Sequence, residues 1–366
     1  MTRQSRVDGG TEHGLLRRQE PPHNDEKKQV LSKFIKNIIQ LNGAISIEAY
    51  WNLCLAHPEY GYYMKSDPLG EAGDFTTAPE ISQLFGEMIG IWAIEQWQKL
   101  GSPDAIYIVE CGPGRGTLMA DLLRIGKVIP EFIRAVQIHL IETSPLLRTK
   151  QGAALKGYQV VWHEDLSTLP DIAPLIVIGN EFLDALPIKQ YVFKDGAWFE
   201  RVVGCDGDKL IFGLCPTASQ LIPLAEGQGN DFIFEASPAR ENFIDDISKR
   251  VKIQSGAALM IDYGFEVSDF KNTFQAVKKH SYADVLKDCG DVDLTSHVDF
   301  GQLKSVAEQH GVSVAVQSQV DFLKRWGIEA RAAQLMQKSP LIESGLHRLI
   351  DDDKMGQLFK VMEIIS

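Results

Sequence analysis

Residues 106–117 read IYIVECGPGRGT: a short apolar run, an acid, then glycines at 112, 114 and 116 before a threonine. The apolar run Ile106–Val109 predicts a buried strand, and Leu118–Arg124 beyond the glycines predicts a helix. A strand that enters a glycine loop and leaves it as a helix opens a β-α-β unit. Working outward, the same grammar repeats. Val136–Ile141, Tyr158–Trp162, Leu175–Ile178 and Ala257–Ile261 read as four more strands. Leu175–Ile178 is apolar throughout, as a parallel strand covered on both faces should be. Alternating strands and helices predict a parallel sheet with right-handed crossovers.

The gap between the fourth and fifth strands is too long for one crossover helix. It holds QYVF, WFERVV and KLIFGL, separated by Asp195-Gly196 and Asp206-Gly207. Those dipeptides are hairpin signals, so an antiparallel β-meander is expected at about 188–240. Glu241–Val251 then supplies the missing helix. After the fifth strand come a loop, a helix (Asp299–His310, ended by Gly311), the strand Val312–Val320, and Val361–Ile365 as an antiparallel partner to it. Upstream, apolar residues at helical spacing mark Gln29–Leu41, and Asn42-Gly43 ends that helix. Ser46 caps a second helix, and Ile81–Leu100 forms a third. Residues 57–82 between them are a long loop rich in aromatics and glycine. The expected division is a disordered tail over 1–28, a helical and lid region over 29–100, and an α/β core over 101–366 carrying the meander.

The composition excludes several classes. A formal charge of −12 over 366 residues argues against nucleic-acid binding, which rewards lysine and arginine. The apolar runs are too short to span a bilayer, so no membrane insertion is expected. The five cysteines form no C-x-x-C pair and no zinc spacing, which points to reduced thiols in a cytosol-like compartment and to no metal. Residues 1–28 lack the apolar run of a secretory signal, and Asp8, Glu12 and Glu20 count against a mitochondrial transit peptide.

The glycine loop also speaks to the cofactor. A dinucleotide fingerprint would need glycine at 117, where Thr117 stands. Glu110 precedes the glycines, and a carboxylate beside a pyrophosphate would be repelled. S-adenosylmethionine carries no phosphate, and its methionyl ammonium is a group a carboxylate can hold. The pattern E-x-G-x-G-x-G (Glu110, Gly112, Gly114, Gly116) therefore suits S-adenosylmethionine better than NAD. Glu142 ends the second strand, where an acid can accept from both ribose hydroxyls, a feature NAD enzymes share. Asp165-Leu166 follows the third strand, near where an adenine amino group would lie. Each acid alone could be a solvated strand end; their order and spacing make the set.

With NEFLDALP (180–187), the stretches YGYY (60–63), GDFTTAPEIS (73–82), ECGPGRG and DLTSHVDF (293–300) resemble the MidA family of S-adenosylmethionine-dependent methyltransferases. The resemblance runs from about residue 29 to the terminal MGQLFKVM. It implies a Rossmann-like class I methyltransferase sheet. It also implies a protein-arginine methyltransferase assisting respiratory complex I assembly, with a subunit related to the 49 kDa quinone-site protein as acceptor. The location implied is the bacterial cytoplasm, or the mitochondrial matrix in a eukaryote. In a parallel sheet ligands sit at the carboxyl ends of strands, so Asn180, Glu181 and Asp184 are expected at the mouth of the site. Carboxylates bind a planar guanidinium bidentately, which makes Glu181 the first candidate catalytic residue and Asp184 the second. Asp184 could equally cap the next turn, and Asn180 could order the loop. Thr76 and Thr77 could hydrogen-bond the cofactor from a lid, or GDFTTAPEIS could simply cap the third helix. Asp262-Tyr263 and His297 are further candidates with structural alternatives. Other functions compatible with the core are methylation of a small molecule or another side chain, and a non-catalytic assembly chaperone. Glu110 and Thr117 disfavour an NAD-dependent oxidoreductase.

Overall fold

The computed structural model describes residues 24–65, 77–217, 222, 232–337 and 339–366. The predicted tail lies outside them apart from its last few residues, as do Thr76 and most of the loop ahead of it. At the centre is a mixed sheet whose seven long-range strands are β1 (Ile106–Cys111), β2 (Val136–Ile141), β3 (Val160–His163), β4 (Leu175–Asn180), β5 (Gly256–Phe265), β6 (Ser313–Ser318) and β7 (Phe359–Ile365). They lie in the order β3-β2-β1-β4-β5-β7-β6. β1 to β5 are mutually parallel, and β7 runs antiparallel to both β5 and β6. The order reverses beside β1, between β1 and β4, which is where an open parallel sheet leaves a crevice.

The side chains explain the layers. Ile106 and Ile108 face one core, and Tyr107, Val109 and Cys111 face the other. Ile176 and Ile178 likewise part from Leu175 and Val177. The first face is covered by helices Gln83–Lys99 and Thr117–Gly126, the second by Pro238–Gln254 and Phe300–Glu308. A strand must be apolar on both sides to sit in such a sandwich, which is why these runs do not alternate with polar residues.

The meander is present, with one strand more than the three segments the sequence marks. Strands Lys189–Lys194, Ala197–Asp206 and Lys209–Pro216 are joined by the expected hairpins, with Phe232–Ala236 pairing back onto the first. Asp195 and Gly196 both take positive φ (50° and 80°), as the first two-residue turn requires. The second turn is centred one residue later than predicted, on Gly207-Asp208, with Gly207 at φ 54°. The two-residue strand Ile45–Ser46 joins this sheet against Val202 and Val203. Leu31, Ile35, Tyr50 and Trp51 of the first two helices pack with Ile188 and Val203 of the meander and with Phe274 and Leu294.

Several boundaries move for physical reasons. The third predicted helix breaks at Ser82, which leaves a short helix Ala78–Ile81 and caps Gln83–Lys99 by accepting from Leu84 N. β3 begins two residues late, because Leu155–Tyr158 still closes the preceding helix. β6 ends at Ser318, whose hydroxyl caps a helix Gln319–Arg325 instead of continuing the strand to Val320. The region after β5, read as a loop, contains a small antiparallel sheet of Gln275–Lys278, Ser281–Ala283 and Asp293–Thr295. Among the described residues no helix is long and apolar enough to cross a membrane.

Candidate active site

A cavity of about 620 Å³ opens at the carboxyl ends of β1, β2, β4 and β5. Its floor is the glycine loop. Gly112, Gly114 and Gly116 all adopt positive φ (62°, 53° and 84°), a conformation that side chains with a Cβ resist. A Cβ on Gly112 would come within 2.9 Å of the Phe182 ring. Gly112 and Gly114 line the cavity; Gly116 does not. It starts helix Thr117–Gly126 from behind the loop and packs against Gln151, so its role is in the backbone turn rather than at the cavity surface.

Glu110 is 3% exposed, and its Oε2 has no hydrogen-bond partner. Burial pushes its pKa up to about 8, opposed only by the Met119 N–H. Glu142 also faces the cavity and is raised by burial, against donors from Ser144 N (2.8 Å) and Gln151 Nε2 (3.1 Å). Asp165 and Leu166 line the same end. Asp165 is exposed, however, and its Oδ1 already accepts from the Ser167 hydroxyl and, as the cap of a 3₁₀ turn, from Ser167 N at 2.7 Å, which together lower its pKa. Thr77 lines the cavity and its side chain caps nothing.

The other half of the cavity belongs to NEFLDALP. β4 ends at Asn180, and Glu181 turns the chain with φ 49°, a strained choice for a residue with a side chain. Its N–H still donates to Ile261 O (2.9 Å), which ties the turn to β5. Glu181 Oε1 accepts from Ala78 N (3.0 Å) and from Asn180 Nδ2 (3.2 Å). Burial, reinforced by the Asp184 charge, raises its pKa to about 7 against those donors. Asp184 Oδ2 accepts from Tyr263 OH at 2.7 Å, while Asp184 Oδ1 and Asn180 Oδ1 are buried without partners. Asp262 is fully buried and accepts from Asp184 N (3.0 Å), so it caps the loop instead of facing the cavity. His297 does not line the cavity; its carbonyl accepts from Arg240.

Four contributors were not found in the sequence. Arg240, 4% exposed, donates to the carbonyls of Leu183, Asp184, Leu186, Ser296 and His297 and to the Ser296 hydroxyl. A lone arginine in a helix's first turn carries no signal of burial. Glu80 accepts from Thr117 Oγ1 (2.5 Å) and pairs with Arg115 (3.4 Å), pinning helix Ala78–Ile81 to the glycine loop. Tyr63 and Asp293 line the cavity and are bonded to each other at 3.0 Å. They lie in YGYY and DLTSHVDF, stretches that the resemblance marked without assigning them a role.

These features fit S-adenosylmethionine: a buried acceptor oxygen for its ammonium, a Cβ-free loop, and an acid closing β2. Fold and site together define a Rossmann-like S-adenosylmethionine-dependent methyltransferase. The model of an S-adenosyl-L-methionine-dependent methyltransferase family matches residues 88–318. The human mitochondrial protein arginine methyltransferase NDUFAF7 is 33% identical over 360 residues, covering 89% of this chain and 81% of its own. The Drosophila melanogaster homologue is 34% identical, covering 94% and 85%. A Burkholderia thailandensis crystal structure with bound S-adenosyl-homocysteine superposes with a TM-score of 0.83 at 25% identity, covering 95% of both chains. The chain belongs to the MidA-like family of S-adenosylmethionine-dependent methyltransferases.

Proposed function

We propose that this methyltransferase acts on an arginine side chain of a protein, and that the protein is a complex I subunit related to the 49 kDa quinone-site protein. One observation carries the chemistry. Every buried unpartnered polar atom among the described residues lining the cavity is a carboxyl or amide oxygen: Glu110 Oε2, Asn180 Oδ1 and Asp184 Oδ1. A guanidinium is planar, always charged and purely a donor, as the methionyl ammonium is. In this reading Glu110 takes the ammonium, Glu142 the ribose hydroxyls, and Asp165 and Leu166 the adenine end, with Thr77 closing over them. Bound S-adenosylmethionine supplies an electrophilic methyl on a sulfonium. Glu181 and Asp184 accept from the guanidinium, concentrate its positive charge away from the attacking nitrogen, and fix its approach. Glu181 has Oε1 committed to Ala78 and Asn180, which leaves Oε2 for the substrate and for the proton the nitrogen gives up. The curated relatives named as protein arginine methyltransferases support the acceptor. The protein acceptor places the enzyme with complex I assembly, in the cytoplasm of a bacterium or the matrix of a mitochondrion. Mass spectrometry of complex I subunits from cells with and without this protein tests the proposal. Loss of one methylated arginine on that subunit is expected; an unchanged methylation pattern would contradict it.

A further inference from the structure

Gln151, on helix Pro145–Ala154, is fully buried behind the cavity wall. Its Oε1 accepts from Trp162 Nε1 at 2.8 Å. Its Nε2 donates to Gly114 O at 2.8 Å and to Glu142 Oε2 at 3.1 Å. An indole only donates and a carbonyl only accepts, so the amide has one permitted orientation and both its hydrogens are used. We infer that Gln151 is a cofactor-positioning residue, which sets the glycine loop and the Glu142 carboxylate at a fixed separation. This rests on the reading of Glu142 as the ribose acceptor.

Three successive strand ends meet at this one side chain. Gly114 follows β1, Glu142 follows β2, and Trp162 lies on β3. The acid's oxygens accept from Ser144 N and Gln151 Nε2, and every carboxylate oxygen has more than one acceptor site. A vicinal diol needs two acceptors held in register, and Gln151 supplies that register without touching the cavity. The close approach also accounts for Gly116, where a Cβ would stand 3.3 Å from Gln151 Cα.

Calorimetric titration of the purified full chain with S-adenosylhomocysteine tests this. Gln151→Glu keeps the shape and the Trp162 bond but replaces the donor with a second carboxylate beside Glu142. Its Kd should rise about tenfold or more, the scale of a lost hydrogen bond to a charged group. Glu142→Ala should weaken binding comparably, and the double variant Glu142→Ala/Gln151→Leu should lose less than the two single losses added together, because the residues share the Gln151–Glu142 contact. Additive losses, as a merely structural glutamine would give, overturn the inference. Wild-type affinity in Gln151→Glu with weak binding in Glu142→Ala overturns it while leaving the ribose reading intact. Wild-type affinity in Glu142→Ala overturns both. If Gln151→Glu does not fold, Trp162→Phe decides, since it frees the amide while leaving the glutamine in place. A few-fold weaker binding supports the inference and no change refutes it.

Discussion

Glu110 and Glu181 hold their protons to unusually high pH, about 8 and about 7, because burial penalises their charged forms. For an acid whose folded pKa is raised, the unfolded chain releases its proton first. Stability is therefore full at low pH and falls as pH rises towards the folded pKa. From the ordinary glutamate value of about 4.5 up to about pH 8 these two groups should make the ligand-free protein's melting temperature decline. Between about pH 4 and 6.5 His139, lowered to about 4 by burial and His163, acts in the opposite sense. An ammonium placed beside Glu110 favours its carboxylate, so binding S-adenosylhomocysteine at pH 7 should expel a proton. Titrations in buffers of different ionisation enthalpy measure this directly. Proton release in the wild type that disappears in Glu110→Gln is the expected pair of results; release unchanged in Glu110→Gln would separate Glu110 from the ammonium. Glu110, Glu142 and Glu181 were legible in the sequence because they stand at strand ends, where the chain leaves the sheet. Arg240 and Gln151 were not, since each serves through bonds to groups distant in the chain.

The NEFLDALP loop is an element with little regular structure of its own, and Arg240 is its scaffold. The guanidinium satisfies five carbonyls and a hydroxyl from two chain segments, and burial lowers its pKa against the attraction of Asp262 and Asp184. Arg240→Met should cost about 3–5 kcal/mol, the scale of leaving a buried charge cluster without its partner. Urea unfolding measures it, and an unshifted midpoint would show that the loop holds itself. The long parallel strands were readable because burial on both faces forces unbroken apolar runs. The sheet around Gln275–Lys278 was not, because strands of three or four residues carry too few side chains to show a period. The helices between Gln319 and Leu358 escaped for a related reason. They are four to ten residues long, and tertiary contacts such as Arg331 with the buried Glu87 fix them more than local pattern does.

At the scale of the whole molecule, the α/β core supplies the glycine-loop and NEFLDALP walls of the cavity and the added elements complete its lining. Trp51 and Tyr63 come from the N-terminal helices, and Asp293 from the small sheet after β5. The sequence predicts each of these regions or marks its motif, but not their meeting, because a pairing such as Tyr63 with Asp293 spans 230 positions. The convergence produces a pocket in which, among the described residues, every buried unpartnered polar atom is a carboxyl or amide oxygen, and the proposed substrate rests on this. The most direct test is transfer of an isotope-labelled methyl group from S-adenosylmethionine to the purified complex I subunit. Wild type and Glu181→Gln are compared, and the modified residue is identified by tandem mass spectrometry. The account predicts label on an arginine side chain, with turnover reduced about 10²–10³-fold in Glu181→Gln at unchanged cofactor affinity. Label on a residue other than arginine, or wild-type turnover in Glu181→Gln, would contradict it.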